Sequence, residues 1–325
     1  MAVRLLLDES AKGVYIISAT PFTDAGEIDF DSTDRLIDFY VDSGVHGVTI
    51  LGVMGEAPKL SAEESIAFSE RVLKRVAGRI PVVVGVSSTG NLNLKRLTDK
   101  VMALGAAGVM VSPIGGLRTD EQIEAYFGSV VRDLGPQVPI VLQDYPQLTQ
   151  VYMSSALVNR LFAQFPSLKM FKHEDVPGLR KLTQLRAAEA RGERRRVSIL
   201  VGNSGMFLPM ELHRGADGAM TGVAYPEMLV RVCEKFFAGD SGGAEDVYDA
   251  FLPIVRYENQ PGIGLAIRKE ILRRRGIIKS AAVRAPGARL DADDLKELDG
   301  LVGRLERKLA ALDLPLAQPK LRRTG

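Results

Sequence analysis

The amino-acid sequence predicts an α/β protein: a closed (β/α)8 TIM barrel followed by a C-terminal helical extension. Three observations predict it. Eight short apolar runs alternate with longer segments whose apolar residues recur at helical spacing. Each run ends in Gly, Pro, Ser, Thr or a charge. The eight units fit into about 225 residues, which suits a closed barrel better than an open sheet.

The runs, in order, are "GVYIISATP" (13–21), "GVTILG" (47–52), "IPVVVGVSS" (80–88), "AGVMVSP" (107–113), "VPIVLQDYP" (138–146), "SLKMFKHED" (167–175), "SILVGN" (198–203) and "GAMTG" (218–222). Near-continuous hydrophobicity is what strands covered on both faces require. Between them lie helical patterns such as "DFDSTDRLIDFYVDSG" (29–44). Ser61 and Glu64 make a capping box that opens another helix. After Pro226 the strand signals stop. "PEMLVRVCEKFFAG", "GAEDVYDAFLPIVRYE", "GIGLAIRKEILRRRG" and "LDADDLKELDGLVGRLERKLAAL" read as helices. The expected division is therefore a barrel over 1–225 and a helical appendage packed on it over 226–325. The closing "PLAQPKLRRTG" reads as a frayed tail.

Composition narrows the function. The chain has 325 residues, 46% hydrophobic and 25% charged, enough for a sizeable core. Lys+Arg 42 against Asp+Glu 40 leaves a net charge of +2, which argues against a general nucleic-acid binder. The runs Arg194, Arg195, Arg196 and Arg273, Arg274, Arg275 read as solvated helix ends or loop edges. A single cysteine, Cys233, rules out an intrachain disulfide. His46, His173 and His213 are scattered and show no metal-ligand spacing. The N-terminal stretch lacks a signal-peptide core, and no apolar run reaches membrane-spanning length. A soluble, cytoplasmic protein without membrane partners is the expectation.

One lysine stands out. In "PSLKMFKHEDVPG" (166–178), Lys172 comes near the C-terminal end of the sixth run, where barrel chemistry is located. Side chains alternate along a strand, so Lys172 and Glu174 share a face and His173 points away, to pack outside the barrel or cap a helix. If Lys172 points inward, apolar neighbours disfavour its ammonium form. A neutral amine attacks a ketone and forms a Schiff base. The plainer alternative is a Lys172–Glu174 ion pair at the barrel rim. The residues alone leave both open.

The order of motifs resembles the dihydrodipicolinate synthase / N-acetylneuraminate lyase family, Schiff-base-forming barrels acting on pyruvate and related 2-oxo acids. "ATPFTDAGEIDFDS" (19–32) is similar to the family's opening strand and turn. "GVHGVTILGVMGEAPKLSAEE" (44–64) resembles its loop of glycine, two hydroxyl residues, glycine and glutamate. "VPIVLQDYP" resembles the strand carrying its tyrosine, "LKMFKHED" the strand carrying its lysine, and "GADGAMTGVAYPE" its eighth strand. The resemblance implies that Lys172 is the Schiff-base lysine. It also implies a homotetramer built from dimers.

The departures from the family pattern are equally informative. The loop reads Gly52, Val53, Met54, Gly55, without the two hydroxyls. Its backbone N–H groups remain available for a substrate carboxylate. Gln143 stands where the family has its tyrosine. Ile114 and Gly115 stand where a second tyrosine of the proton relay would be, and Leu148 where dihydrodipicolinate synthases carry an arginine. Glu174 and Tyr145 are the candidates to replace the lost acid–base groups. Gln143 is expected to hydrogen-bond a sugar hydroxyl. Asn203 and Ser204 are expected to read substrate hydroxyls, Thr221 and Gly222 to line the pocket, and Met54 to form its wall.

The pattern is closest to the branch that dehydrates 2-keto-3-deoxy sugar acids, as 2-keto-3-deoxy-L-arabonate dehydratases do. There the lysine is the electron sink, so neither metal nor organic cofactor is expected. The alternatives are a retro-aldolase releasing pyruvate, a dihydrodipicolinate synthase-like condensation, and a non-catalytic 2-oxo-acid sensor.

Overall fold

Eight short strands, all parallel, pair in sequence order, and the eighth returns to the first, closing the barrel. They are β1 (Gly13–Ile17), β2 (Gly47–Ile50), β3 (Val82–Gly85), β4 (Gly108–Val111), β5 (Ile140–Asp144), β6 (Leu168–His173), β7 (Ser198–Val201) and β8 (Gly218–Ala219). The computed structural model describes residues 5–314 and residue 316, so the proposed tail lies almost entirely outside the described residues.

The strands are shorter than the apolar runs that announce them. The run over 13–21 contributes only Gly13–Ile17 to the ladder, and that over 218–222 only Gly218–Ala219. Ser18, Ala19 and Thr20 leave the sheet yet stay buried, at the C-terminal mouth of the barrel. A buried loop and a buried strand have the same apolar signature, which is why the pattern overran.

The helices are α1 (Phe30–Asp42), α2 (Ala62–Val76), α3 (Asn91–Ala103), α4 (Asp120–Leu134), the short α5 (Pro146–Thr149), α6 (Ser155–Gln164), α7 (Leu179–Ala190), α8 (Leu208–His213), α9 (Pro226–Phe237), α10 (Ser241–Glu258), α11 (Gly264–Arg274) and α12 (Ala292–Ala311). The capping box of α2 forms as read: the Ser61 hydroxyl accepts from the Glu64 N–H, and Glu64 accepts from the Ser61 N–H. Helix α9 packs against β1, and α10 packs on α9, α11 and α12.

Two local features set the phase of β6. Ile140 pairs with Leu168 but Val141 pairs with Met170, so Lys169 is an extra residue in the ladder. A bulge of this kind switches which face each later residue occupies. Lys169 itself turns out to Glu9, 2.8 Å away. Beyond the bulge, Gln143 is level with Lys172, and Lys172 with Leu200. Phe171 and His173 point outward. Phe171 meets Phe162 of α6 edge-on, and His173 stacks on Phe171.

Of the two basic runs, Arg196, Arg273 and Arg274 are exposed, as the sequence suggests, whereas Arg194 is not. Arg194 is buried: it donates to Asn159, Glu189 and two backbone carbonyls. Arg196 pairs with Asp217 and Glu189. Arg275 of the second run pairs with Glu227 and lies over Phe39 and Tyr225. Guanidinium groups placed between helices and carboxylates lose water but gain fixed hydrogen bonds. No helix among the described residues is long and apolar enough to cross a membrane.

Candidate active site

Lys172 enters the barrel from the end of β6, with only 4% of its surface exposed. Its Nζ lies 2.9 Å from Glu174 Oε2. Glu174, one residue past the strand, is equally buried. The ion pair that the sequence left as one alternative therefore exists, but inside the barrel rather than on its rim. It faces a cavity of about 80 Å³ lined also by Ile17, Val53, Met54, Tyr145, Asn203, Ser204, Thr221, Gly222, Asn259 and Arg268. A second cavity, of about 550 Å³, shares Val53 and Tyr145 with the first and extends past Gly52, Ser87, Ser88, Arg96, Ser112 and Leu148.

The neighbouring strands are shaped around Glu174. Gln143 donates from Nε2 to the same Oε2 at 2.8 Å. A buried carboxylate oxygen thereby meets two donors, as burial requires. Asn203 Nδ2 donates to the Glu174 backbone carbonyl at 3.0 Å. Gly202 has no side chain for a steric reason: a Cβ there would lie 2.2 Å from Glu174 Cγ. Asn203 and Ser204 follow in the left-handed region, at φ 50° and 58°. That costly backbone is held by the Ser204 N–H donating to Thr221 Oγ1 at 2.8 Å.

The loop after β2 turns tightly through Leu51, at φ 54°, and Glu56, also at φ 54°. The Gly55 N–H donates to Gly52 O, and the Thr20 hydroxyl to Gly55 O. The backbone N–H groups of Val53 and Met54 donate to no group among the described residues. Met54 is a wall: its Sδ would be 2.0 Å from a Cβ at Gly222. Lys269 of α11, fully buried, reaches Glu56 Oε1 at 2.6 Å and anchors the loop from the C-terminal side.

The structure therefore brings together Lys172, Glu174, Tyr145, Val53, Met54, Asn203 and Thr221 at one cavity. Gly52 and Gln143 line only the larger one. Gly55 lines neither; its N–H goes to Gly52 O and its carbonyl takes the Thr20 hydroxyl. Gln143, Asn203 and Thr221 hold protein groups with the atoms that the sequence reading assigned to substrate. Ile114 and Gly115 line neither cavity, and Leu148 is 57% exposed. His173 faces away, as alternation requires. Its Nε2 meets Gly178 O at 3.0 Å, and its Nδ1 stands 3.7 Å from Asp144 with no hydrogen bond.

Two polar residues of the smaller cavity, Asn259 and Arg268, were missed in the sequence. Arg268 projects from α11 and donates to Ser204 Oγ, which in turn donates to Asn259 Oδ1 at 2.9 Å. The available signal was weak: Arg268 and Lys269 sit in a helix that also carries Glu270, Arg273 and Arg274, so neither cation stands out. The Tyr145 phenol is pushed up by desolvation and by the Glu174 charge, against an opposing pull from Arg268. Among the described residues, no group of three or more His, Cys, Asp or Glu converges on a possible metal position.

Comparison with known proteins agrees with this architecture. Over 303 residues the chain is 30% identical to L-2-keto-3-deoxyarabonate dehydratase of Azospirillum brasilense, covering 91% of this chain and 94% of that one. It is 31% identical over 246 residues to 4-hydroxy-tetrahydrodipicolinate synthase of Sorangium cellulosum, covering 74% and 79%. A crystal structure of dihydrodipicolinate synthase from Rhodopseudomonas palustris superposes with a TM-score of 0.90 at 47% identity, covering 92% of this chain and 99% of that one. The sequence profile of the dihydrodipicolinate synthetase family matches residues 10–304. The barrel, the lysine at the end of its sixth strand and these likenesses together make the chain a member of the dihydrodipicolinate synthetase family.

Proposed function

We propose that this protein is a Schiff-base hydro-lyase that dehydrates a 2-keto-3-deoxy sugar acid, in the manner of 2-keto-3-deoxy-L-arabonate conversion to 2-oxoglutarate semialdehyde. The observation that carries this reading is the buried contact between Lys172 Nζ and Glu174 Oε2 at 2.9 Å, facing a cavity. The dehydratase of Azospirillum brasilense, similar over nearly all of its length, supports it.

Glu174 is positioned to take a proton from the Lys172 ammonium, freeing the amine. The amine adds to the C2 ketone, the carbinolamine hydroxyl takes the proton back from Glu174 and leaves as water, and an iminium forms. The substrate C1 carboxylate lies against the Val53 and Met54 N–H groups. Glu174 then removes a C3 proton, and the electron pair moves into the C2–C3 enamine. The enamine expels the C4 hydroxyl, which leaves as water with the proton from Glu174. The unsaturated iminium loses a C5 proton to give a dienamine enol. The enol loses its O–H proton as C4 is protonated, and C3 is protonated in turn, so that C5 becomes the aldehyde. Hydrolysis of the iminium then returns Lys172 and releases the semialdehyde. Tyr145, half-buried at the junction of the two cavities, assists proton transfer. Gln143, Asn203 and Gly202 keep Glu174 beside the amine.

A retro-aldolase uses the same enamine but needs a base at the C4 hydroxyl, and Tyr145 is the group that favours this second reading. The synthase reaction is disfavoured by Leu148, whose side chain offers no charge to an aldehyde's carboxylate. A panel of 2-keto-3-deoxy acids, assayed for semialdehyde and for pyruvate, tests the proposal. Semialdehyde with at most traces of pyruvate is expected. Pyruvate as the main product would replace the dehydratase reading with the aldolase one. Robust condensation of pyruvate with aspartate semialdehyde would restore the synthase. The dimer-of-dimers assembly belongs to the same reading, and light scattering at the mass of four chains is its test.

A further inference from the structure

Arg268 is a cation with too few partners. Its Nη2 donates to Ser204 Oγ. Its Nε is buried without a hydrogen bond, 3.7 Å from Glu258 Oε1. Its Nη1 has no hydrogen-bond partner among the described residues. Glu258 compensates the charge poorly. It is buried, with Oε1 unpartnered and Oε2 accepting from the Ala224 N–H at 3.2 Å. Desolvation pushes its carboxyl up to about 7, against the opposing pull of Arg268.

The other charges at the cavity are matched: Lys172 has Glu174. The open backbone donors, Val53 and Met54, lie after β2. Arg268 lies with Ser204, after β7, three positions away around the barrel. Substrate held by the first group at C1 and by Lys172 at C2 leaves its far end to meet other groups. Arg268 lines the same cavity as Lys172, whereas Arg96 lines only the larger one. An unsaturated guanidinium in a site sheltered from water favours a carboxylate over a neutral hydroxyl.

We propose that Arg268, steadied by Ser204 and Asn259, is a specificity-determining residue that binds a second carboxylate at the far end of the substrate. This rests on the reading of Lys172 as the Schiff-base amine, and it narrows the substrate class: 2-oxo diacids, hence a 3-deoxy sugar diacid, are preferred over acids with an uncharged terminus. The dehydration steps are unchanged.

The test is borohydride trapping on the full chain with 2-oxoglutarate and 2-oxopentanoate, acids of equal chain length that differ at the far carboxylate. Peptide mass spectrometry reads labelling at Lys172. The expected half-trapping concentration is roughly ten- to a hundredfold lower for 2-oxoglutarate, the worth of one charge-assisted contact. In R268M that ratio falls to near one while pyruvate still labels Lys172, which also shows that the variant folds. R268K keeps part of the ratio, and R96M keeps it all. Absence of a preference in the parent chain would overturn the inference. So would an equal loss of pyruvate labelling in R268M, which would assign Arg268 to the C1 carboxylate, or loss of the ratio in R96M. If no acid, pyruvate included, labels Lys172, the Schiff-base reading itself fails and takes this inference with it. That result is distinct from normal labelling without an Arg268 effect.

Discussion

Glu174 Oε2 lies 2.9 Å from Lys172 Nζ. The same oxygen accepts from Gln143 at 2.8 Å, so the carboxylate is held on the amine by the residue level with it on the adjacent strand. Glu174→Gln is expected to lower turnover by about 10²–10⁴-fold, the usual cost of losing a positioned general base. Pyruvate should still be trapped on Lys172, because adduct formation depends on the amine more than on the carboxylate. Tyr145→Phe should be milder. Steady-state rates on a 2-keto-3-deoxy acid, with trapping in parallel, check this. Abolished dehydration in Tyr145→Phe beside near-normal rates in Glu174→Gln would move the proton chemistry to Tyr145.

Gly202→Ala places a methyl 2.2 Å from Glu174 Cγ. Glu174 must shift or the end of β7 must yield. Overpacking of this kind costs about 1–3 kcal/mol. Turnover should fall along with the denaturation midpoint. Parental values for both would mean that the close approach does not constrain Glu174.

Lys269 joins the C-terminal helices to the loop after β2. Its Nζ meets Glu56 Oε1 at 2.6 Å and Ala282 O at 2.8 Å, and the other Glu56 oxygen takes Lys59 and the Arg284 N–H. Burial pulls the Lys269 ammonium down, and the Glu56 charge opposes it. Lys269→Met leaves a buried carboxylate short of a partner, and a loss of about 3–5 kcal/mol is expected. Lys269→Met combined with Glu56→Gln should recover part of it. Urea unfolding of the single and double variants measures both, and strictly additive losses would argue against the coupling.

Glu211 of α8 is 7% exposed, and its Oε2 has no hydrogen-bond partner. Desolvation pushes its carboxyl up to about 7 from a reference of 4.5, with His173 acting in the opposite sense. Between those pH values the folded chain keeps a proton that the unfolded chain has released, so stability falls as pH rises through this window. The contribution is fully present below the lower value and is about 3 kcal/mol smaller above the upper one. Glu211→Gln should therefore match the parent near pH 4 and exceed it at pH 8. Denaturant midpoints at pH 4, 6 and 8 read the difference, and parallel curves for the two chains would exclude Glu211 as a source of the slope.

Features that depend on neighbours in sequence were legible from the residues. Alternation put Lys172 and Glu174 on one face and His173 on the other, and the structure has them so. The Ser61–Glu64 capping box needs only a three-residue spacing. Eight apolar runs separated by helical patterns marked the barrel, because a strand buried on both faces has few polar positions. Where those strands stop was not legible, since Ser18, Ala19 and Thr20 are buried in a loop as thoroughly as in a ladder.

Features that depend on closure were decided by tertiary structure. The sequence leaves open whether Lys172 faces the barrel interior. The bulge at Lys169 and the pairing with β5 and β7 set that phase. Gln143, Asn203 and Thr221 were candidates for substrate contact, but their hydrogen bonds go to Glu174 and Ser204, groups that come within reach only when adjacent strands close. Arg268 is 64 residues from Ser204 in sequence and within hydrogen-bonding distance of it in space. No local pattern encodes that distance. Hydrophobic burial and helical periodicity are properties of a segment, whereas a polar site is a property of which segments meet.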